Sequence, residues 1–365
     1  MTAKSCTVAL DVMGADGGPS AIIEGGIGAA RKFGDSLHLV LVGFQDVIRE
    51  ALSKVADVPK NISIHHAGTE VPMDVSATDG VRMRDSSVAI GLKMVKDKEA
   101  DAFVSPGNTG AVMATALLTL GRIEGVIRPA ITTDFPTSTG RRTVVLDVGA
   151  NADCKPMHLS QFAIMGSVYS SIVLGNDSPR VGLISIGEER SKGNELILGA
   201  RKLLRSTNIN FVGNIEGRDI LSGGVDVAVT DGFTGNILLK FAESIRPMLV
   251  KAVQRQIQTN IFSRFGVWLM LPFLRRMRRT FDYAESGGAP LLGVNGNVII
   301  CHGTSSARAI TNAVANAFNM VTRKVSERIH DELVTNHFGR SNGSKGKSQD
   351  SGNRVICPAG QDDQC

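Results

Sequence analysis

Lys192 lies beside Gly193 just ahead of a helix-like segment, in the loop Gly187-Glu188-Glu189-Arg190-Ser191-Lys192-Gly193-Asn194. An ammonium group there is placed to hold phosphate or a developing oxyanion. The competing reading is a solvated capping segment, which explains Glu188 and Glu189 well but Lys-Gly-Asn less well. Five more glycine- and asparagine-bearing loops occur, each where an apolar run ends. They are Asp11-Val12-Met13-Gly14-Ala15-Asp16, Ser105-Pro106-Gly107-Asn108-Thr109-Gly110, Asp147-Val148-Gly149-Ala150-Asn151, Thr230-Asp231-Gly232-Phe233-Thr234-Gly235-Asn236 and His302-Gly303-Thr304-Ser305-Ser306. Glycine lets main chain approach a ligand closely, and a helix N-terminus offers free N–H groups and partial positive charge. One such loop is a turn. Several at strand ends describe a cleft for anionic oxygens.

The individual residues divide by chemistry. In the 105–110 loop, Thr109 is expected to cap the following helix while Gly107, Asn108 and Gly110 let N–H groups converge on an anion. A plain strand-to-helix turn is the alternative, weakened by the matching loops at 231–236 and 302–306. His302 follows the last apolar run and precedes Gly303, a position as consistent with proton handling as with a structural role. Asp11 and Asp16 flank Gly14. They could act as acid and base or organise a turn; no third ligand accompanies them, so no metal is assigned. No Gly-Lys-Ser/Thr closes any loop, and no Gly-x-Gly-x-x-Gly is followed by an acidic residue about 20 positions on. A nucleotide cofactor is therefore not expected, and no other cofactor is called for. The chain has no Gly-x-Ser-x-Gly elbow either, so a serine-hydrolase mechanism is not expected.

The elements that must position these loops alternate. Apolar strand-like runs at 7–12, 37–42, 61–66, 102–104, 143–148, 181–186, 210–212, 225–230 and 298–301 are separated by helical patterns. The pattern predicts an α/β fold with a mostly parallel sheet covered on both faces, ligands lying at the carboxyl ends of the strands. A final long helix is expected from Ser305 to about Leu333. The 365 residues are 42% hydrophobic and 21% charged, an ordinary globular balance for one large domain or two smaller ones. The five cysteines show no metal-ligand spacing and read as buried thiols in a reducing compartment. Lys4 leads directly into the first strand, unlike a signal peptide, and no run reaches the roughly 18 apolar residues of a membrane span.

Two regions break the alternation. From Arg246 to Arg279 there are eight basic residues and no acidic one, in a mostly helical stretch whose middle carries Trp268, Leu269, Leu271 and Phe273. Basic flanks around an apolar tip predict a protruding helical segment, 245–281, that meets an anionic membrane surface. An interface with a twin subunit is the alternative, and both can hold. Phosphate tracking on nucleic acid would favour polar residues there, so nucleic acid is not expected. The stretch 339–365 is polar and almost without apolar residues, and is expected to be a disordered tail after a catalytic domain covering 1–338.

The chain resembles the bacterial phosphate acyltransferases that make acyl-phosphate for phospholipid synthesis. The resemblance rests on Leu10–Asp16, Ser105–Ala111, Leu146–Asn151 with Gln161-Phe162-Ala163, Ile186–Asn194, Gly213–Asp219, Thr230–Asn236, Gly288–Gly293 and His302-Gly303, in order from about residue 7 to 320. Ala15 and Gly17 depart from the family pattern, which has glycine and a bulkier residue. The resemblance implies a three-layer α/β/α sandwich similar to phosphotransacetylases and isocitrate dehydrogenases. It implies transfer of a long fatty acyl group from acyl carrier protein to inorganic phosphate. It further implies a homodimer, peripheral attachment to the cytoplasmic membrane, and delivery of product to a membrane glycerol-3-phosphate acyltransferase. On that chemistry Lys192 and Asn236 take the central roles, with His302 as proton handler. Asp11, Gly14, Asp16, Gly107, Asn108, Thr109, Gly110, Asn151, Gly187, Glu188, Asn194, Asp231, Thr234, Gly235 and Gly303 would contribute substrate contacts. The rival readings are a phosphotransacetylase using an acyl-coenzyme A donor, a non-catalytic lipid-surface scaffold, and a decarboxylating dehydrogenase of similar fold.

Overall fold

The computed structural model describes residues 5–257, 270 and 287–336. Eleven strands form one mixed sheet in the order β3-β2-β1-β4-β11-β10-β5-β6-β9-β7-β8. They are β1 Cys6–Asp11, β2 Leu37–Gly43, β3 Ile62–His66, β4 Ala102–Ser105, β5 Ala130–Pro136, β6 Arg142–Leu146, β7 Val181–Ile184, β8 Phe211–Ile215, β9 Val227–Val229, β10 Ala289–Leu292 and β11 Asn297–Ile300. The helices, numbered among the described residues, are α1 Ser20–Phe33, α2 Gln45–Ser53, α3 Ala77–Arg82, α4 Ser87–Lys96, α5 Thr109–Leu120, α6 Pro156–Leu174, α7 Glu195–Leu204, α8 Gly217–Ser222, α9 Gly232–Ile257, α10 Ala307–Thr322 and α11 Val325–Thr335.

Both faces of the sheet are covered, so the central strands read as continuous apolar runs. The period-two alternation then sorts side chains between two cores. Leu10 and Leu39 belong to the core under α1, α6, α7, α10 and α11, and Ala9 and Val40 to the core under α4 and α5. Helix α6 is apolar almost all round because it is enclosed by α7, α11, β6 and β9.

The register places the site. β3, β2, β1, β4 and β11 are parallel to one another; β6, β9, β7 and β8 are parallel to one another. Two antiparallel strands, β10 and β5, join the sets. Val104 pairs with Ile299 and Ile299 with Pro290, one step before Leu291, which pairs with Ile131. Thr132, one step back, pairs with Leu146. The two steps cancel, so Val104, Ile299 and Leu146 lie at one level of the sheet. The odd number of reversals between the sets makes their strands arrive at that level from opposite directions. The carboxyl ends of the two sets of strands therefore reach one level of the sheet from opposite directions, on either side of β10 and β5.

Several elements differ from expectation. β5 and β10 were not expected: β10 is four residues with a proline, and β5 ends in proline and carries Thr132, Thr133 and Asp134. The long helix expected from Ser305 is two helices, broken where Lys324 takes a left-handed conformation (φ 56°). Helix α9 runs through Pro247. The expected membrane-contact residues Trp268, Leu269, Leu271 and Phe273 and the expected tail 339–365 lie outside the described residues.

Candidate active site

The first half of the site is three loops in direct main-chain contact. A Cβ on Gly14 would lie 2.5 Å from the Gly107 Cα and 2.7 Å from its nitrogen, so glycine is required there. Asp16 N–H donates to the Gly303 carbonyl (2.9 Å), joining the 13–18 and 302–306 loops. Beneath them Asp11 is fully buried. One carboxylate oxygen accepts from Ser105 Oγ (2.7 Å) and the other from Met13 N–H (3.0 Å), while Gly107 N–H donates back to Ser105 Oγ (3.0 Å). Burial pushes the Asp11 carboxyl above the ordinary range, against the pull of these bonds. Asp11, expected as a substrate contact, is thus spent inward. The structure corrects its role to that of a brace between the ends of β1 and β4.

The second half is built the same way. Asp147 follows β6 and is buried. It accepts from the N–H groups of Ile131, Gly149, Ala150 and Asn151 and from the Asn151 side chain, at 2.7–3.1 Å. Burial again raises its carboxyl above the usual range, opposed by those same donors. Gly232 N–H donates to the Asn151 carbonyl (2.8 Å), and a Cβ on Gly235 would meet the Asp147 carbonyl oxygen at 1.8 Å. The 147–151 loop and the first turn of α9 therefore pack backbone to backbone. Asp147 was missed as a site residue. The available signal was the repeat Leu10-Asp11-Val12 and Leu146-Asp147-Val148, each ending a buried strand.

Most expected side chains serve their own loops. Asn108, not Thr109, caps α5: its Oδ1 accepts from Ala111 N–H (3.0 Å), and its Nδ2 donates to the carbonyls of Met73 and Val75. Thr109 is already helical, which is why the cap falls one residue earlier. The N–H groups of Asn108, Thr109 and Gly110 find no acceptor among the described residues, which leaves them for a ligand. Asn194 caps α7 through Ile197 N–H. Asp231 accepts from Thr234 N–H (2.8 Å) and Thr234 Oγ1 (2.9 Å). The Asn151 amide is held by Pro129 and Asp147, and Glu188 pairs with Arg218 at 3.0 Å. Asp16 lines a cavity of about 460 Å³ between the start of α1 and the 303–306 loop. Its negative charge suits those helix starts and would repel a phosphate there.

Three side chains remain outward. Lys192 and Asn236 are exposed and have no hydrogen-bond partner among the described residues. Lys192 is fixed through its backbone, because Asn214 Nδ2 donates to the carbonyls of Glu189 (3.0 Å) and Lys192 (2.9 Å). The flank of Lys192 lies against Gly187, where an added Cβ would come 3.1 Å from its Cγ. Asn236 lies against Gly149. His302 Nδ1 accepts from Thr304 N–H (3.2 Å) and lies 2.8 Å from Thr304 Oγ1. A main-chain N–H can only donate, so the neutral ring carries its proton on Nε2 and presents a donor. No hydrogen bond or ion pair joins the 302–306 loop to the 185–194 loop or the start of α9 among the described residues.

No thiol competes as nucleophile among the described residues. Burial drives Cys6, Cys154 and Cys301 up to about 12, far from thiolate formation at neutral pH. The described residues hold no group of three His, Cys, Asp or Glu that could bind a metal ion.

The fold is a phosphotransacetylase-like α/β fold. Two solved structures share the fold. One is a phosphotransacetylase from Streptococcus pyogenes (TM-score 0.61, 18% identity, 87% of this chain and 94% of that one). The other is the EutD phosphotransacetylase from Staphylococcus aureus (TM-score 0.56, 16% identity, 87% and 95%). A family model described as fatty acid synthesis protein matches residues 6–328. A phosphate acyltransferase of Trichlorobacter lovleyi is 46% identical over 331 residues, covering 90% of this chain and 95% of the relative. One of Geobacter sulfurreducens is 44% identical over 329 residues, covering 90% and 94%. The chain belongs to this family of acyltransferases.

Proposed function

We propose that the protein transfers a long-chain fatty acyl group from acyl carrier protein to inorganic phosphate, giving acyl-phosphate for phospholipid synthesis. The reading is supported by the unpaired N–H groups at the start of α5 and by the exposed, unpartnered Lys192 and Asn236 at the ends of the other strand set, in a chain of this family. A phosphate oxygen attacks the thioester carbonyl carbon. The carbonyl π electrons move to oxygen, the tetrahedral centre collapses, the C–S bond breaks, and the carrier thiol leaves with a proton. No protein nucleophile is needed, in keeping with cysteines held as thiols. Positioning supplies much of the rate. Lys192 and the α5 amides hold the phosphate and the developing oxyanion. Asn236 aims the carbonyl, His302 Nε2–H donates a hydrogen bond to the departing sulfur, and the proton the thiol carries away is the one the attacking hydrogen phosphate loses.

Helix α9 supports a surface role as well. Phe233, Ile237, Phe241 and Met248 lie on one side of it at helical spacing, and each is more than half exposed. A twin subunit along this stem, with the basic stretch beyond Ile257 on an anionic bilayer, would cover it. The protein would then act as a cytoplasmic homodimer attached peripherally to the membrane, where a glycerol-3-phosphate acyltransferase consumes the acyl-phosphate.

The test is direct. Incubation with palmitoyl-acyl carrier protein and phosphate, with hydroxylamine trapping of the product, is expected to give phosphate-dependent hydroxamate. Turnover with acyl-coenzyme A and none with the carrier donor would favour the phosphotransacetylase reading and overturn this one.

A further inference from the structure

Away from the site, a groove of about 760 Å³ runs between α4 and α5 and is closed at one side by the end of α3. Its rim is basic. Lys93 and Lys96 stand three apart on α4, hence on one face, and Arg82 and Arg84 border the other side. Asp97 is the one acidic residue in the lining. Arg82 is paired with Asp79 (3.3 Å), whereas Arg84, Lys93 and Lys96 have no ion-pair partner among the described residues. The groove also has an apolar contact point, because Leu118 of α5 is 72% exposed. Beside it Thr115 Oγ1 is buried without a hydrogen-bond partner. Unpaired cations around one bare leucine suit a partner that is both acidic and amphipathic.

Both walls lead to the site. Helix α5 begins at the Asn108–Gly110 amides, and α4 begins at Ser87, which contacts the buried Asp11. Leu118 lies nine residues along α5 from Thr109, about 14 Å at 1.5 Å per residue.

We infer that this groove is the docking surface for the acidic donor protein: an acidic helix of acyl carrier protein lies between α4 and α5 with one apolar side chain on Leu118. The inference rests on the carrier-dependent reading proposed above and adds where the carrier binds. Charge complementarity carries it, since a negative helix meets four cations and one carboxylate, and an amphipathic helix in a groove is a common recognition mode. From there a flexible thioester arm spans the length of α5 to the loops that hold phosphate.

The experiment uses the full-length protein with palmitoyl-acyl carrier protein as donor, in 50 mM and 300 mM salt. For R84E/K93E/K96E the expected result at low salt is a KM for the carrier donor raised about tenfold or more with kcat within about twofold, and a flattened salt dependence. Leu118→Ser is expected to raise the same KM without altering the salt dependence, because it removes the apolar contact and leaves the charge unchanged. A control with the same change in net charge, K32E/K54E/K60E, is expected to leave KM unchanged. All these positions are exposed, and a melting curve checks folding. A wild-type protein active with the carrier donor and a groove variant with unaltered KM would overturn the docking surface alone. A wild-type protein inert with that donor would overturn the carrier reading itself.

Discussion

Gly14→Ala tests whether main-chain contact between loops builds the phosphate cradle. The added methyl would sit 2.5 Å from the Gly107 Cα, 2.7 Å from the Gly107 nitrogen and 3.0 Å from Asp11 Oδ2. Carbon atoms rest about 3.5–4.0 Å apart, so one loop must retreat by about 1 Å. Neither neighbour is a flexible side chain: one is backbone, and the other is a carboxylate tied to Ser105 and Met13. The retreat carries Gly107, and with it the N–H groups of Asn108, Thr109 and Gly110. A displacement of about 1 Å in positioning groups costs about 10²-fold in rate, or roughly 2.7 kcal/mol of barrier, and overpacking costs about 1–3 kcal/mol of stability. The assay is hydroxamate-trapped acyl-phosphate formation over a phosphate titration, with thermal melting in parallel. Gly17→Ala is the control in the same loop, because its methyl would meet nothing within 4 Å; it is expected to match wild type in both measurements. A Gly14→Ala protein with undiminished kcat/KM would refute the cradle.

Lys192→Ala is expected to lower kcat about 10²-fold or more, as for loss of one oxyanion donor; full turnover would remove Lys192 from the chemistry. Asn214→Ala frees the Glu189 and Lys192 carbonyls and is expected to lower kcat by less than Lys192→Ala, with no additional loss in the double variant. Asp226 is held by Arg180 (3.0 Å) and Arg141 (3.2 Å). Burial alone would raise its pKa, but the hydrogen bonds and charge of Arg180, then Arg141, bring it below the ordinary value. Its contribution to stability is complete at neutral pH and fades as pH falls below the ordinary carboxylate value of about 3.9 through the depressed native one. Asp226→Asn is therefore expected to cost about 2 kcal/mol in denaturant melts at pH 7, below the range for a fully buried pair because both arginines are partly exposed, and nearly nothing in strong acid. Trp268→Asp with Leu269→Asp is expected to release the protein from phosphatidylserine vesicles in flotation while activity in solution persists; retained binding would exclude that segment as anchor.

The amino-acid sequence by itself determined the alternation of buried strands and helices, and it placed the glycine loops at the carboxyl ends of strands. Both are local properties. An apolar run of four to seven residues marks a strand covered on two faces, and a glycine or asparagine beside it marks the turn into a helix. Lys192, Asn236 and His302, proposed above to act on the substrates, drew notice for the same local reason, as polar groups in or beside those glycine loops. What only the tertiary structure decided is how the ends of the two sets of strands are brought to one level of a single sheet. That depends on β5 and β10, two short strands with proline at or near one end and no continuous apolar run, whose antiparallel pairing turns the second set of strands against the first. Their partners lie far away in the chain, as Ile131 and Leu291 do, and no local pattern encodes such a pairing. The same distance hid the work of Asp11, whose bond to Ser105 spans 94 residues. A carboxylate at a strand end reads as a ligand contact until burial shows that it faces inward.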